Sequence, residues 1–369
     1  MAEPLKNQFG ADVPNKIARM IAGVMPEFKI NAFVQEVLDG YDELELMPRG
    51  RKISQGLKIY LPDNYADAVE VLVASLGRKL DEKESDGMAS FLYMPHGFFV
   101  ADYGLEHFDI SMQAHYELTQ RFTAEFGIRP FIQRYPEQSF KLLSEWTQDS
   151  SQHVRRLVSE GTRPRLPWAA RLPEFQKDPT RVISLLELLK DDPELYVRRS
   201  VANNLNDIGK DNIDVLVDTS QRWLQDASEQ RQWIIRHALR SAIKRAEPGA
   251  LSVLGYGDPA NVLIDNVLIM PNVVNIGDHV VIGFDITNND KLTASIMLDC
   301  RVHFVKANGQ SSAKIFKLKA LDLAAGQSQR IEKKISLQQM TTRTHYPGVH
   351  KVELQINGMI TALGEFEIR

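Results

Sequence analysis

The chain is short of most features that announce a chemistry. Among its 369 residues stands one cysteine, Cys300, which excludes an internal disulfide and any cysteine-rich zinc site. A lone thiol fits a reducing compartment. No run of about 18 apolar residues occurs, so no membrane-spanning helix is expected. The opening MAEPLKNQFGADVPNKIARMIAGVM has no long apolar core ending in a small-residue cleavage site; a secretory signal is therefore not expected, and the cytosol is. HExxH, GxGxxG and phosphate-binding-loop motifs are all missing. The nine histidines are scattered without metal-site spacing. Bulk positive charge is missing too. With a net charge of -4, any nucleic-acid surface must come from sorting charges by face rather than from their sum.

What is present has the composition of an ordinary globular chain, long enough for about two or three domains. Up to about residue 258 the apolar residues recur three and four apart. That spacing predicts helices over 14–25, 30–41, 47–60, 66–76, 112–125, 138–146, 154–160, 179–189, 196–205, 213–223 and 232–244. In the fourth of these Ala68, Val71, Leu72 and Leu76 share a face, and Asp63 or Asn64 is placed to cap it. Residues 89–110, rich in aromatics with Gly and Pro among them, read as a packed connector.

Three segments line up as a helix end, an acidic turn and a second helix: WTQDSSQHVRRLVSE, LKDDPELYVRRSVAN and WLQDASEQRQWIIRHALRS. Their anchors Val154, Val197 and Ile235 are spaced by about 40 residues, the period of HEAT-type hairpins. Stacked hairpins leave a concave row of second helices. On that row sit Arg155, Arg156, Arg198, Arg199, Arg236 and Arg240, able to hold phosphates. Helical spacing puts Arg155 and Arg198 on one face and Arg156 and Arg199 on the next. Some of each pair is expected to neutralise acids such as Asp149, Asp191 and Asp192.

Near residue 259 the period falls to two. HVVIGFDIT, LDCRVHF, AKIFKLKAL, QRIEKKISL, HKVELQING and LGEFEIR alternate or nearly so, with turns at Asn288-Asn289-Asp290 and Asn308-Gly309. Short strands over roughly 100 residues suggest an immunoglobulin-like β-sandwich held by an apolar core. The expected organisation is multidomain, α then β: a HEAT-like solenoid over 1–258 and the sandwich over 259–369.

The stretches LKNQFG (5–10), SEGTRPRLPW (159–168) and SVANNLNDIGKD (200–211) resemble the AlkC branch of bacterial DNA alkylation-repair glycosylases. The resemblance extends over the whole chain, including the C-terminal β-domain. It implies a HEAT-like solenoid that holds duplex DNA in its concave face; the chain is expected to act as a monomer. The implied activity is removal of cationic methylated bases, chiefly 3-methyladenine and also 3-methylcytosine, without flipping the base into a pocket. It further implies that Asp207 and Glu160, with Glu125 as a third member, match the family's essential carboxylates.

The chemistry suits that set. A positively charged base is already a good leaving group, so the enzyme needs mainly negative charge near the sugar C1′ and a positioned water. No metal or redox cofactor is expected. Asp207 is assigned to electrostatic stabilisation and water orientation, Glu160 to water activation or cation recognition, and Glu125 to support. Bland readings stand beside these. Asp207, just past an apolar helical run, reads equally as a solvated loop acid. Glu160 sits where an acid is mildly unfavourable, at a helix C-terminus. Glu125 follows Arg121 by four residues, the spacing of a helix-surface ion pair. The proline-stiffened loop TRPRLPW offers Arg163 and Arg165 to phosphate and Trp168 to stacking or a cationic base; Trp168 reads alternatively as a core plug. Asn203 and Asn204, which interrupt an apolar helix, are candidates either for phosphate or sugar or for capping the neighbouring hairpin. In the β-domain, Arg301, His303, Lys306, Lys314, Lys317 and Lys319 serve either DNA or solubility. The competing class is a non-catalytic scaffold for DNA or protein, separated from the enzyme by whether Glu125, Glu160 and Asp207 converge. A nuclease would want a tight metal-binding acid cluster, whose spacing is not seen.

Overall fold

The computed structural model describes residues 5–80, 89–340 and 344–369. Helices run from Asp12–Ala22 to Pro248–Val253, and strands follow from Val262 onward. Packing separates two compact units. One comprises Met1–Asn212 with Glu229–Ile234; the other comprises Ile213–Ser228 and Ile235–Arg369. The second unit therefore takes in the helix Ile213–Leu224 and most of Glu229–Lys244 along with the strands.

In the first unit most helices bury one stripe. In Tyr65–Ala74 the buried residues are Tyr65, Ala68, Val69 and Leu72, and Asn64 caps the start by accepting from the backbone N–H groups of Ala66 and Asp67 at 2.9 and 3.3 Å. The aromatic stretch taken for a connector is instead helical over Met94–Tyr103, with a proline in its first turn and Met94, Phe98, Phe99 and Val100 inside. Nearly all of its faces are apolar, so no period betrays it.

Three hairpin segments matter for the site. The helices Gln152–Gly161 and Leu195–Ile208 are the second helices of the first two repeats. Between them, residues 162–172 form the TRPRLPW loop, anchored by buried Leu166 and Leu172. Gly161 ends the first helix against Ile128: a Cβ there would meet Ile128 Cγ2 at 2.8 Å. The close approach needs glycine.

The second unit carries a sandwich. Its strands are β1 (Val262–Met270), β2 (Val273–Val274), β3 (His279–Asn288), β4 (Ala294–Val305), β5 (Ser311–Leu323), β6 (Ser328–Ser336), β7 (Gly348–Ile356) and β8 (Met359–Ile368). They form a three-stranded sheet β1-β3-β6 and a five-stranded sheet β2-β8-β7-β4-β5. All pairings are antiparallel except β2 with β8. Val280 and Ile282 from one sheet meet Cys300, Val302, Val352 and Phe366 from the other in a common core. Strand β1 is absent from the sequence-based list of strands. Its alternation is broken by a register shift between Asp265 and Leu268, where Asn266 takes a positive φ of 46°.

Candidate active site

Two helices meet stripe against stripe. On Gln152–Gly161, Arg156 and Glu160 lie one turn apart, and Arg163 continues their row into the loop; on Leu195–Ile208, Tyr196, Ser200 and Asp207 share a face. Ser200 Oγ donates to Glu160 Oε2 at 2.6 Å. Arg163 spans two acids. Its Nη1 reaches Glu160 Oε1 at 2.6 Å, while Nε and Nη2 reach Asp207 Oδ2 at 2.8 and 2.7 Å. Lys210 Nζ holds the other Asp207 oxygen at 2.7 Å. Arg156 spans a second pair, with Nη1 at 2.9 Å from Glu125 Oε2 and Nη2 at 3.7 Å from Glu160 Oε1. The result is one ladder of alternating charge: Glu125, Arg156, Glu160, Arg163, Asp207, Lys210.

The three acids are therefore brought together, and all are buried: Glu125, Glu160 and Asp207 are 8%, 6% and 1% exposed. Two of the bland readings are overturned. Asp207 is no solvated loop acid; it lies inside the helix Leu195–Ile208. Arg121 pairs with Glu117 at 2.7 Å, not with Glu125. Nor does Glu125 end a helix, because the preceding helix stops at Thr119 and Glu125 stands in the turn before Arg129–Arg134. Burial pushes the Glu160 carboxyl up, but the neighbouring Arg156 and Arg163 and the Ser200 hydroxyl outweigh it and hold Glu160 below the ordinary carboxylate value. Burial disfavours the charged Arg163, and the fields of Glu160 and Asp207 more than restore it.

Arginine roles divide more sharply than the sequence implies. Both members of the first pair are committed within the protein. Arg155 reaches Asp192 with Nε at 2.6 Å and the carbonyls of Asp149 and Ser150 with Nη1 at 2.8 and 3.0 Å. In the second pair Arg198 donates to the carbonyls of Asp192 and Pro193 at 2.7 and 2.6 Å, while Arg199 is exposed. Arg165 grips Asp211 in a two-point pair, with Nε to Oδ2 at 2.6 Å. Asn203 is half-buried. Its neighbour Asn204 is buried and ties the two helices, donating to the Ser159 carbonyl at 2.7 Å and Thr162 Oγ1 at 3.1 Å. Trp168 is 67% exposed, so it plugs no core, and its backbone φ is 65°. An exposed indole held in the left-handed region costs about 1–3 kcal/mol of strain, offset by the loop anchors on either side. In the second unit Arg236 is exposed. Arg301 and His303 are drawn to Glu353 at 3.2 and 2.8 Å.

One residue of the site had no sequence signal. Arg129 is buried at the base of the loop and donates to three carbonyls: Gly161 at 2.9 Å, Arg163 at 2.8 Å and Ala170 at 2.6 Å. Burial, with Arg163 alongside, lowers its guanidinium to about 10. It fastens both ends of the segment that carries Arg163 and Trp168. In sequence it is an unremarked arginine before Pro130.

Comparison with known proteins shows what the chain resembles. Residues 264–369 match the family model for the C-terminal Ig-like domain of YhaZ. The Bacillus subtilis protein YhaZ is 31% identical over 365 residues, covering 99% of each chain. The solved structure of the Pseudomonas fluorescens alkylpurine DNA glycosylase AlkC, bound to DNA containing an abasic site analog, is 36% identical, covers 100% of both chains and superposes with a TM-score of 0.92. Related to these proteins at such identities along its whole length, the chain belongs to the AlkC family.

Proposed function

We propose that the protein is a DNA glycosylase of base excision repair that releases cationic N-methylated bases, 3-methyladenine and 3-methylcytosine, from duplex DNA. The observation that carries this reading is the convergence of Glu125, Glu160 and Asp207 on one arginine-braced ladder. It is supported by full-length similarity to a glycosylase seen on abasic DNA. A scaffold has no use for three buried acids held in register.

In this reading the ladder fixes the carboxylates before substrate arrives, so no reorganisation is needed as positive charge develops at C1′. Asp207, gripped on both oxygens, supplies the field and orients water. Glu160, held below the usual carboxylate range by Arg156 and Arg163, stays ionised; its part is to stabilise charge and orient water more than to take a proton. Glu125 supports the same field. At about 4 Å and an effective dielectric near 20, one such charge contributes about 4 kcal/mol, reduced by each paired arginine. Arg199 and the exposed Trp168 are assigned to phosphate and base contact, with Arg236 adding a phosphate contact from its own unit; Arg155, Arg156, Arg163 and Arg165 act through the acids they hold. The direct test is release of free 3-methyladenine from methylated duplex DNA by the purified protein. Binding without release would leave a non-catalytic DNA or protein scaffold.

A further inference from the structure

Glu125 lies outside any helix, so its carboxylate is aimed by its partner rather than by its own backbone. That partner, Arg156, reaches Glu125 at 2.9 Å, Thr123 Oγ1 at 3.4 Å and Glu160 at 3.7 Å. An arginine side chain has many rotamers, and something must hold this one across two acids. The Tyr196 ring does so: the Arg156 guanidinium carbon lies 4.9 Å from its centroid. The ring is itself wedged, with the His153 ring at 5.6 Å and 68° on an edge. His153 and Arg156 are three residues apart on one helix and so flank the same ring. Tyr196 begins the helix stripe that continues through Ser200 to Asp207. It meets Arg156 as Ser200 meets Glu160 and as Asp207 meets Arg163.

We infer that Tyr196 is a positioning residue for the proposed reaction: by clamping Arg156 it sets the Glu125 carboxylate at the end of the ladder. This rests on the glycosylase reading for its kinetic consequence but not for its structural one. Tyr196 is 38% exposed, so its replacement spares the core.

The test is a double-mutant cycle on the full chain, using methylated duplex DNA. Tyr196→Leu is expected to lower the single-turnover rate of 3-methyladenine release about tenfold, with affinity for abasic duplex held within about twofold. Tyr196→Phe, which keeps the ring, recovers most of that rate. In a Glu125→Gln background, Tyr196→Leu costs little more. Additive losses in that cycle, a Tyr196→Leu protein as fast as wild type, or a loss confined to DNA affinity would each overturn the inference. If wild type releases no base, the glycosylase reading is what fails. The clamp is then decided by thermal unfolding of Tyr196→Leu, Arg156→Met and the double variant: non-additive losses sustain it and additive losses refute it.

Discussion

Two rows of arginines run along the same pair of helices, and they do different things. The outer row repeats. Arg155 donates to the carbonyls five and six residues before it, and Arg198 does the same one repeat later. These bonds tie each acidic turn to its helix, which is architecture. The inner row does not repeat. Arg156 is committed to Glu125 and Glu160, whereas Arg199, its counterpart, is exposed. Where a solenoid breaks its own repeat to bury paired charges, it has built something other than the solenoid. Burying ions is expensive; the outer row buries one pair, Arg155 with Asp192, whereas Arg156 and Arg163 bind three buried acids into one chain.

The comparison is broken or sharpened by what each row is worth. Arg163→Ala takes the shared arginine from two buried acids, leaving Glu160 with Arg156 at 3.7 Å and Asp207 with Lys210, and should destabilise the protein by about 3–5 kcal/mol. Arg155→Ala takes the arginine from one buried acid, Asp192, which keeps the Glu194 backbone N–H, and should cost less, about 2–3 kcal/mol. Urea unfolding of both variants measures the gap; equal losses would erase the distinction between the rows.

Acid provides the next test, because the helical unit also buries uncharged histidines. His96 has neither ring nitrogen bonded, and burial lowers it to about 4. His115 is lowered by burial to about 3. Both have folded values below the ordinary one near 6.5, so unfolding takes up protons as pH falls. Stability should drop by about 1.4 kcal/mol per pH unit for each histidine, from about pH 6.5 toward pH 4. Glu160 acts in a lower window. Its folded value is depressed, so its contribution is complete above the ordinary carboxylate range and is lost as pH falls through the lower folded value. Thermal unfolding of wild type and His96→Leu between about pH 7 and about pH 2 separates the windows: the variant should lose part of the upper slope and none of the lower.

The smallest expected effect concerns Trp168. Glycine tolerates its φ of 65°, so Trp168→Gly should leave stability unchanged or raise it by up to about 1 kcal/mol while base release falls. Trp168→Ala should lose the activity without the gain. A glycine variant that is less stable than wild type would show the indole to be a structural prop.

Much of this was legible in the chain, and the gaps have physical causes. Helices with one apolar stripe declared themselves, as did β3 and β4, whose inward residues alternate. Met94–Tyr103 did not, being apolar nearly all round, and β1 did not, because a bulge at Asn266 spoils its alternation. Glu160 and Asp207 stood out within conspicuous motifs and Glu125 did not, and the burial of all three was not legible. Asp207 reads as a loop acid because Gly209 follows, yet the helix continues to Ile208. Arg163 looked like a phosphate ligand, since one-dimensional spacing cannot reveal that it faces two carboxylates. Arg129 works through backbone carbonyls, which carry no residue signature.

The central claim, that the ladder exists to hold carboxylates for base excision, is tested most directly through Asp207. Single-turnover release of 3-methyladenine from methylated duplex DNA would be measured for wild type and Asp207→Asn, alongside binding to abasic duplex. Release by wild type, a loss of about 10²–10³-fold in the variant and unchanged binding are the predicted result. An Asp207→Asn protein that excises as fast as wild type while binding normally would contradict it.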